Sequence, residues 1–149
     1  MAEISKALGL GSTFEFNGKT YTCSPWTYKI QGEFEKYLED YAMRTAKKMR
    51  QYLTEPEYAD LISKTHKDIA EGYYAFGSEP CMRAMQTLTH FKKILHLCLL
   101  PKHPDMEMQT VDELVQNRLE EMMAKMGEAN ADPNQNGPEA ETAQADGQQ

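Results

Sequence analysis

The sequence is short of the patterns that carry chemistry. Its three cysteines, Cys23, Cys81 and Cys98, are odd in number, far apart and set in or beside apolar patterns. They are expected as small buried thiols in a reducing compartment and not as a disulfide framework. The four histidines, His66, His90, His96 and His103, include no pair four residues apart and no HExxH or CxxC context, so no metal centre is expected. His96 and Cys98 are two apart and point to different sides of a helix. No GxSxG-like elbow is present, and Cys81 and Cys98 lie in the most apolar stretch, where a thiol pKa rises. The carboxylates fall mostly on helix faces where solvated acids belong. No catalytic residues and no cofactor are expected, and the chain is not read as an enzyme.

Long apolar runs are also absent. The greasiest segment, Cys81–Leu100, is interrupted by Arg83, His90, Lys92 and Lys93, well short of the roughly 18 apolar residues of a membrane span. The N-terminus has no basic region followed by an apolar run, so no secretory leader and no membrane partner are read, and a cytoplasmic location is expected. From Gly127 onward there is no Lys or Arg, while five of the acids lie there, so the −7 formal charge leaves residues 1–126 at about −2. A near-neutral body argues against a general nucleic-acid binder, which needs a dominant basic face. The Gly9-Leu10-Gly11 segment has no strand before it and no helix after it to cradle a phosphate, and residues 1–12 are read as a flexible arm.

What is there is a hairpin followed by helical periodicity. In Thr13-Phe14-Glu15-Phe16-Asn17-Gly18-Lys19-Thr20-Tyr21-Thr22, Asn-Gly separates two alternating segments. A two-residue loop places Phe16 opposite Lys19 and Phe14 opposite Tyr21. Phe14, Phe16 and Tyr21 then share a face that must be covered, because an isolated hairpin is marginal in water. Ser24-Pro25 reads as the start of a helix over about 25–53, striped by Ile30, Phe34, Tyr37, Leu38, Tyr41, Thr45, Met49 and Tyr52. Lys48 falls on that stripe and needs to snorkel or find a carboxylate. Thr54-Glu55-Pro56-Glu57 is a capping box opening a helix over 55–76, with Gly77 as its stop.

Ser78 and Pro80 open the Cys81–Leu100 helix (79–100), with Cys81, Met85, Leu88, Leu95 and Leu99 on one side, and Pro101 closes it. Thr110-Val111-Asp112-Glu113 reads as another capping box, opening a last helix over 111–126 that carries Met122, Met123 and Met126. The remainder, 127–149, has no aromatic, Leu, Ile or Val residue and is expected to be a disordered acidic tail. The expected fold is mainly α: a small N-terminal β-hairpin, then a four-helix domain over 13–126, then the tail.

The Phe-Glu-Phe-Asn-Gly-Lys-Thr-Tyr hairpin, Pro25-Trp26-Thr27 leading into a Glu-rich amphipathic helix, and the polar C-terminal end together resemble bacteriophage tail assembly chaperones. Phe14, Phe16, Gly18 and Tyr21 match the hairpin motif of that family, and Trp26, Phe34 and Leu38 follow where its first helix carries apolar positions. The resemblance covers about residues 13–53. It implies a protein without catalysis that binds the tape measure protein in the host cytoplasm and assists tail tube assembly. On that basis a docking surface is expected from Phe14, Phe16, Tyr21, Trp26, Met122, Met123 and Met126. Two other classes fit the same pattern: a virion structural or head-to-tail joining protein that forms homo-oligomers through the hairpin edge, and a small nucleic-acid-binding or host-directed module acting through Arg44, Lys47, Lys48 and Arg50.

Overall fold

The computed structural model describes residues 11–131. The expected arm, apart from Gly11 and Ser12, and the expected tail beyond Ala131 lie outside them. In chain order the elements are strands β1 (Ser12–Phe16) and β2 (Lys19–Cys23), helix α1 (Tyr28–Lys48) with a 3-10 turn (Met49–Tyr52), then α2 (Glu55–Ala70), α3 (Glu79–Met85), α4 (Leu88–Leu99) and α5 (Met108–Asn130).

The hairpin forms in the register that its turn dictates, with Phe14 opposite Tyr21 and Phe16 opposite Lys19. Asn17 (φ 50°) and Gly18 (φ 75°) take the positive φ that a type I′ turn requires. Its aromatic face turns inward. Phe14 and Tyr21 stack at 5.5 Å and are buried against α4 and α5, which supply the cover the sequence demands. Gly11 and Ser12 are buried structure and not a flexible arm: the Ser12 hydroxyl donates to the Lys125 carbonyl at 2.6 Å, and Gly11 (φ +78°) lies directly on the Cys23 backbone.

The core is built from the hairpin, the first half of α1, and α3, α4 and α5, around the fully buried Phe34, Ile94, Leu95, Leu99, Leu114 and Met122. Cys23, Cys81 and Cys98 are free and wholly buried, as their apolar settings predict. A hydrogen bond with Cys23 and burial push the Cys98 thiol far up, and burial pushes Cys81 up, so both are packing residues in neutral form.

Helix boundaries depart from expectation where tertiary contacts override local signals. The first long helix opens at the Thr27 cap instead of Ser24, because Ser24 N–H donates to the Cys98 carbonyl (2.8 Å) and Trp26 N–H to Asn130 Oδ1 (2.8 Å), which keep that segment extended. The Thr54 and Ser78 caps form as read. Helix α2 ends six residues early, since Gly72 (φ +75°) and not Gly77 takes the left-handed position after it. The freed segment lets Phe76 reach Trp26 and Phe34, while its N–H bonds Glu35.

The Cys81–Leu100 stretch is two helices. Thr87 is extended, its hydroxyl bonds the Ala84 carbonyl, and Leu88 beyond the break is exposed instead of buried. The last helix starts at Met108, so Thr110 is not its cap. His96 Nε2 bonds the Met106 carbonyl at 2.8 Å and fixes the loop so that the helix begins immediately after it. It also runs on to Asn130, so Gly127–Asn130 are helical where tail was expected. Arg118 lies at a kink (φ −147°, ψ 37°) and reaches back to the Glu15 carbonyl and over the Phe16 ring, clamping the hairpin.

Leu95→Ala and Leu114→Ala each leave a cavity at the centre of this core and are expected to lower unfolding free energy by about 2–5 kcal/mol. Gly11→Ala would set a Cβ 1.9 Å from the Cys23 carbonyl oxygen and is expected to cost more than about 2 kcal/mol. Gly18→Ala meets open space and is expected to cost only about 1 kcal/mol for its positive φ. Urea denaturation of the three single variants and Gly18→Ala checks this order.

Candidate partner-docking groove

The residues expected to form a docking surface are mostly inside. Phe14 and Tyr21 are buried, and so are Met122 and Met126, because they face α4 and the hairpin. Phe16 is half-buried beneath the Arg118 guanidinium, and Trp26 is half-buried edge-on against Phe76 at 5.3 Å. Of the seven, Met123 alone is exposed. The structure therefore brings six of them to the core or its rim, and the expected surface does not exist as a single outward face. The reason is physical: a two-stranded hairpin has one apolar face, and folding of the same chain uses it.

A different apolar surface is left open. Helix α1 is 21 residues long, yet its last core residue is Leu38. The following ten residues extend about 15 Å beyond the core at 1.5 Å per residue. Helix α2 folds back along this extension through the 3-10 turn and contributes nothing to the core cluster; its one buried residue is Thr65, whose hydroxyl bonds the Leu61 carbonyl. The two helices form an arm whose seam is only half closed. Tyr41 and Met49 are exposed, Leu61 and Ile62 half-buried, and Lys48 is exposed.

Along this seam runs a groove of about 400 Å³. Its floor is Leu38, Ala42, Ala46 and Leu61, its walls include Tyr41 and Met49, and its inner end is closed by Tyr74, Pro80, Ala84 and His90. The small residues Ala42, Thr45 and Ala46 on one helix opposite Thr65 on the other give it depth. Lys64 and Asp68 on the rim neutralise each other at 2.7 Å. The lining is thus apolar with a balanced polar edge, the surface into which an amphipathic helix lays its apolar stripe.

His90 is fixed at the inner end by Tyr37, whose hydroxyl meets Nδ1 at 3.0 Å, and by Tyr41, whose ring stands perpendicular to it at 4.5 Å. Burial lowers the His90 pKa and raises that of Tyr37, so the pair is neutral and the imidazole packs as an aromatic wall. No three His, Cys, Asp or Glu side chains converge as metal ligands among the described residues, and no described helix is long and apolar enough to cross a membrane. Comparison with protein-family models, curated proteins and solved structures finds no match to this chain.

Sequence reading missed Leu61, Tyr74 and the Ala42–Ala46 floor as functional candidates, because it treated every helical stripe as core. The signal was available in part: the long helix and its successor are joined with almost no linker, so the pair makes a hairpin longer than the domain it serves.

His90 and His103 together predict an acid sensitivity. His103 Nε2 accepts the Thr22 N–H at 2.9 Å, and burial, then Lys19, lower its pKa. Well above pH 6.5, the ordinary histidine value, both histidines are neutral in the folded and unfolded chain. As pH falls below that value the unfolded chain binds protons that the native state resists, so stability falls until the native pKa values are passed. Urea midpoints measured from pH 7.5 to 5 are expected to decline, and the double variant His90→Gln/His103→Gln is expected to flatten the decline.

Proposed function

We propose that this protein is a non-enzymatic phage tail assembly chaperone that binds the helical tape measure protein in the host cytoplasm, and that the α1–α2 groove is where it binds. The observation that carries the proposal is the arm itself: two helices held outside the core with their apolar seam half open. Burying apolar surface yields about 25 cal/mol per Å², so a fold gains nothing in its own stability from leaving such a seam to water. A third helix laid along it would complete a three-helix packing like that found in helical bundles.

The hairpin resemblance supports the same reading from another direction, with its role changed. Phe14, Phe16, Gly18 and Tyr21 form a structural clasp that holds the first helix in place, and the docking role passes to Tyr41, Met49 and Leu61. Chaperoning a long amphipathic helix requires only that its apolar stripe be kept from like stripes until assembly, so a groove of modest depth and neutral rim suits it. Net negative charge on the whole chain limits self-association while the groove is empty.

Co-expression with a tape measure protein is expected to keep that protein soluble and to co-purify it. Met49→Asp places a carboxylate on an exposed groove wall and is expected to reduce co-purification at least about tenfold while the far-ultraviolet helical signal and urea midpoint change little. Undiminished co-purification by this variant would move the site elsewhere. Absence of co-purification by the unaltered chain, together with stable rings of the purified protein, would replace the chaperone reading by that of a structural component.

A further inference from the structure

We propose that the acidic segment 132–149 of this chain docks back onto a second groove, on the opposite edge of α1, where Lys36, Arg44 and Lys47 of that helix meet Lys93 of α4. This groove encloses about 670 Å³ over Tyr37, Met43 and Leu97. None of its four cations is within ion-pair distance of a carboxylate among the described residues; Lys93 Nζ lies over the Tyr37 ring at 5.6 Å and Arg44 Nε donates to the Asp40 carbonyl at 3.4 Å. Glu33 and Asp40 also line it, which leaves two net positive charges.

The occupant follows from charge and from where the described chain ends. Segment 132–149 carries Asp132, Glu139, Glu141 and Asp146 and not one Lys or Arg. It departs from α5 beside the start of α1, because Asn130 Oδ1 accepts the N–H of Trp26, two residues before Tyr28. From Ala131, eight residues reach Glu139, a span of up to about 29 Å when extended. The distance along α1 from its first residue to Lys47 is about 29 Å. Glu141, ten residues on and up to about 36 Å away, can therefore reach the far cation Lys47, and Glu139 the nearer ones, without unfolding anything. Tethering raises the local concentration of these acids to the order of millimolar, which a separate acidic chain must exceed to displace them. The segment has no large apolar residue for the groove floor, so the contact is electrostatic, weak and sensitive to salt. It stands independently of the helix-docking proposal, which concerns the other edge of α1.

Zero-length carbodiimide cross-linking of the full chain, mixed with a heavy-isotope-labelled copy and mapped by mass spectrometry, tests it. Cross-links from Glu139 or Glu141 to Lys36, Lys47 or Lys93 within one chain are expected, falling at least about threefold in 0.5 M salt, where the Debye length is on the order of 4 Å. Arg44→Gln keeps every lysine and acid available to the reagent and is expected to lower the Lys47 cross-link by a similar factor. Cross-links spread evenly to Lys64, Lys67 and Lys102 would overturn the proposal. So would cross-links formed mainly between chains, or a Lys47 yield that Arg44→Gln leaves unchanged.

Discussion

Burial of the stacked Phe14–Tyr21 pair against α4 and α5 is the constraint on which the rest of this fold depends. A two-stranded hairpin cannot bury its own apolar face, so it must be completed by helices that begin about 65 and 85 residues after it in the chain. The polar links follow the same plan. Ser12 to Lys125, Arg118 to Glu15, Thr22 to His103, Ser24 to Cys98 and Trp26 to Asn130 all run from the hairpin region to the C-terminal third. Each is modest alone, about 1 kcal/mol for a typical neutral hydrogen bond. Together they close the domain by joining its first described residues to its last.

Everything between Leu38 and Tyr73 stands outside that closure. Of the second half of α1 and all of α2 only Ala46 and Thr65 are buried, and neither joins the main core cluster; Tyr41 touches the body through His90. Local pairs such as Lys64–Asp68 and the Thr54 capping box hold them helical. Such a segment is expected to unfold locally at lower cost than the closed body. The separation of a tightly stapled body from a loosely supported arm is the physical basis for the proposal that a partner docks on α1 and α2.

How far the sequence was legible depended on the range of the interaction that decided each feature. Asn17-Gly18, Thr54 with Glu57, and Ser78 act within four residues, and the hairpin register and both caps follow from them directly. Ser24 and Thr110 carry equally good local cap signals but lose to contacts with Cys98, Asn130 and His96, which only folding brings near. Leu88 reads as core until Thr87 breaks the helix and turns it outward. The site was harder still, because helical periodicity marks Phe34 and Met49 alike as apolar-stripe residues. What separates them is that the core ends at Leu38, and the sequence has no marker for that end.

The bond between Trp26 and Asn130 also gives the molecule two poles. Chain enters the described fold beside Lys125 and leaves it beside the start of α1, whereas the arm projects from that helix's far end, about 30 Å away for 21 helical residues. The first and last described residues therefore lie toward one pole, and the α1–α2 turn lies at the other. A partner that engages the arm meets the domain about one α1 length away from the bonds that close it.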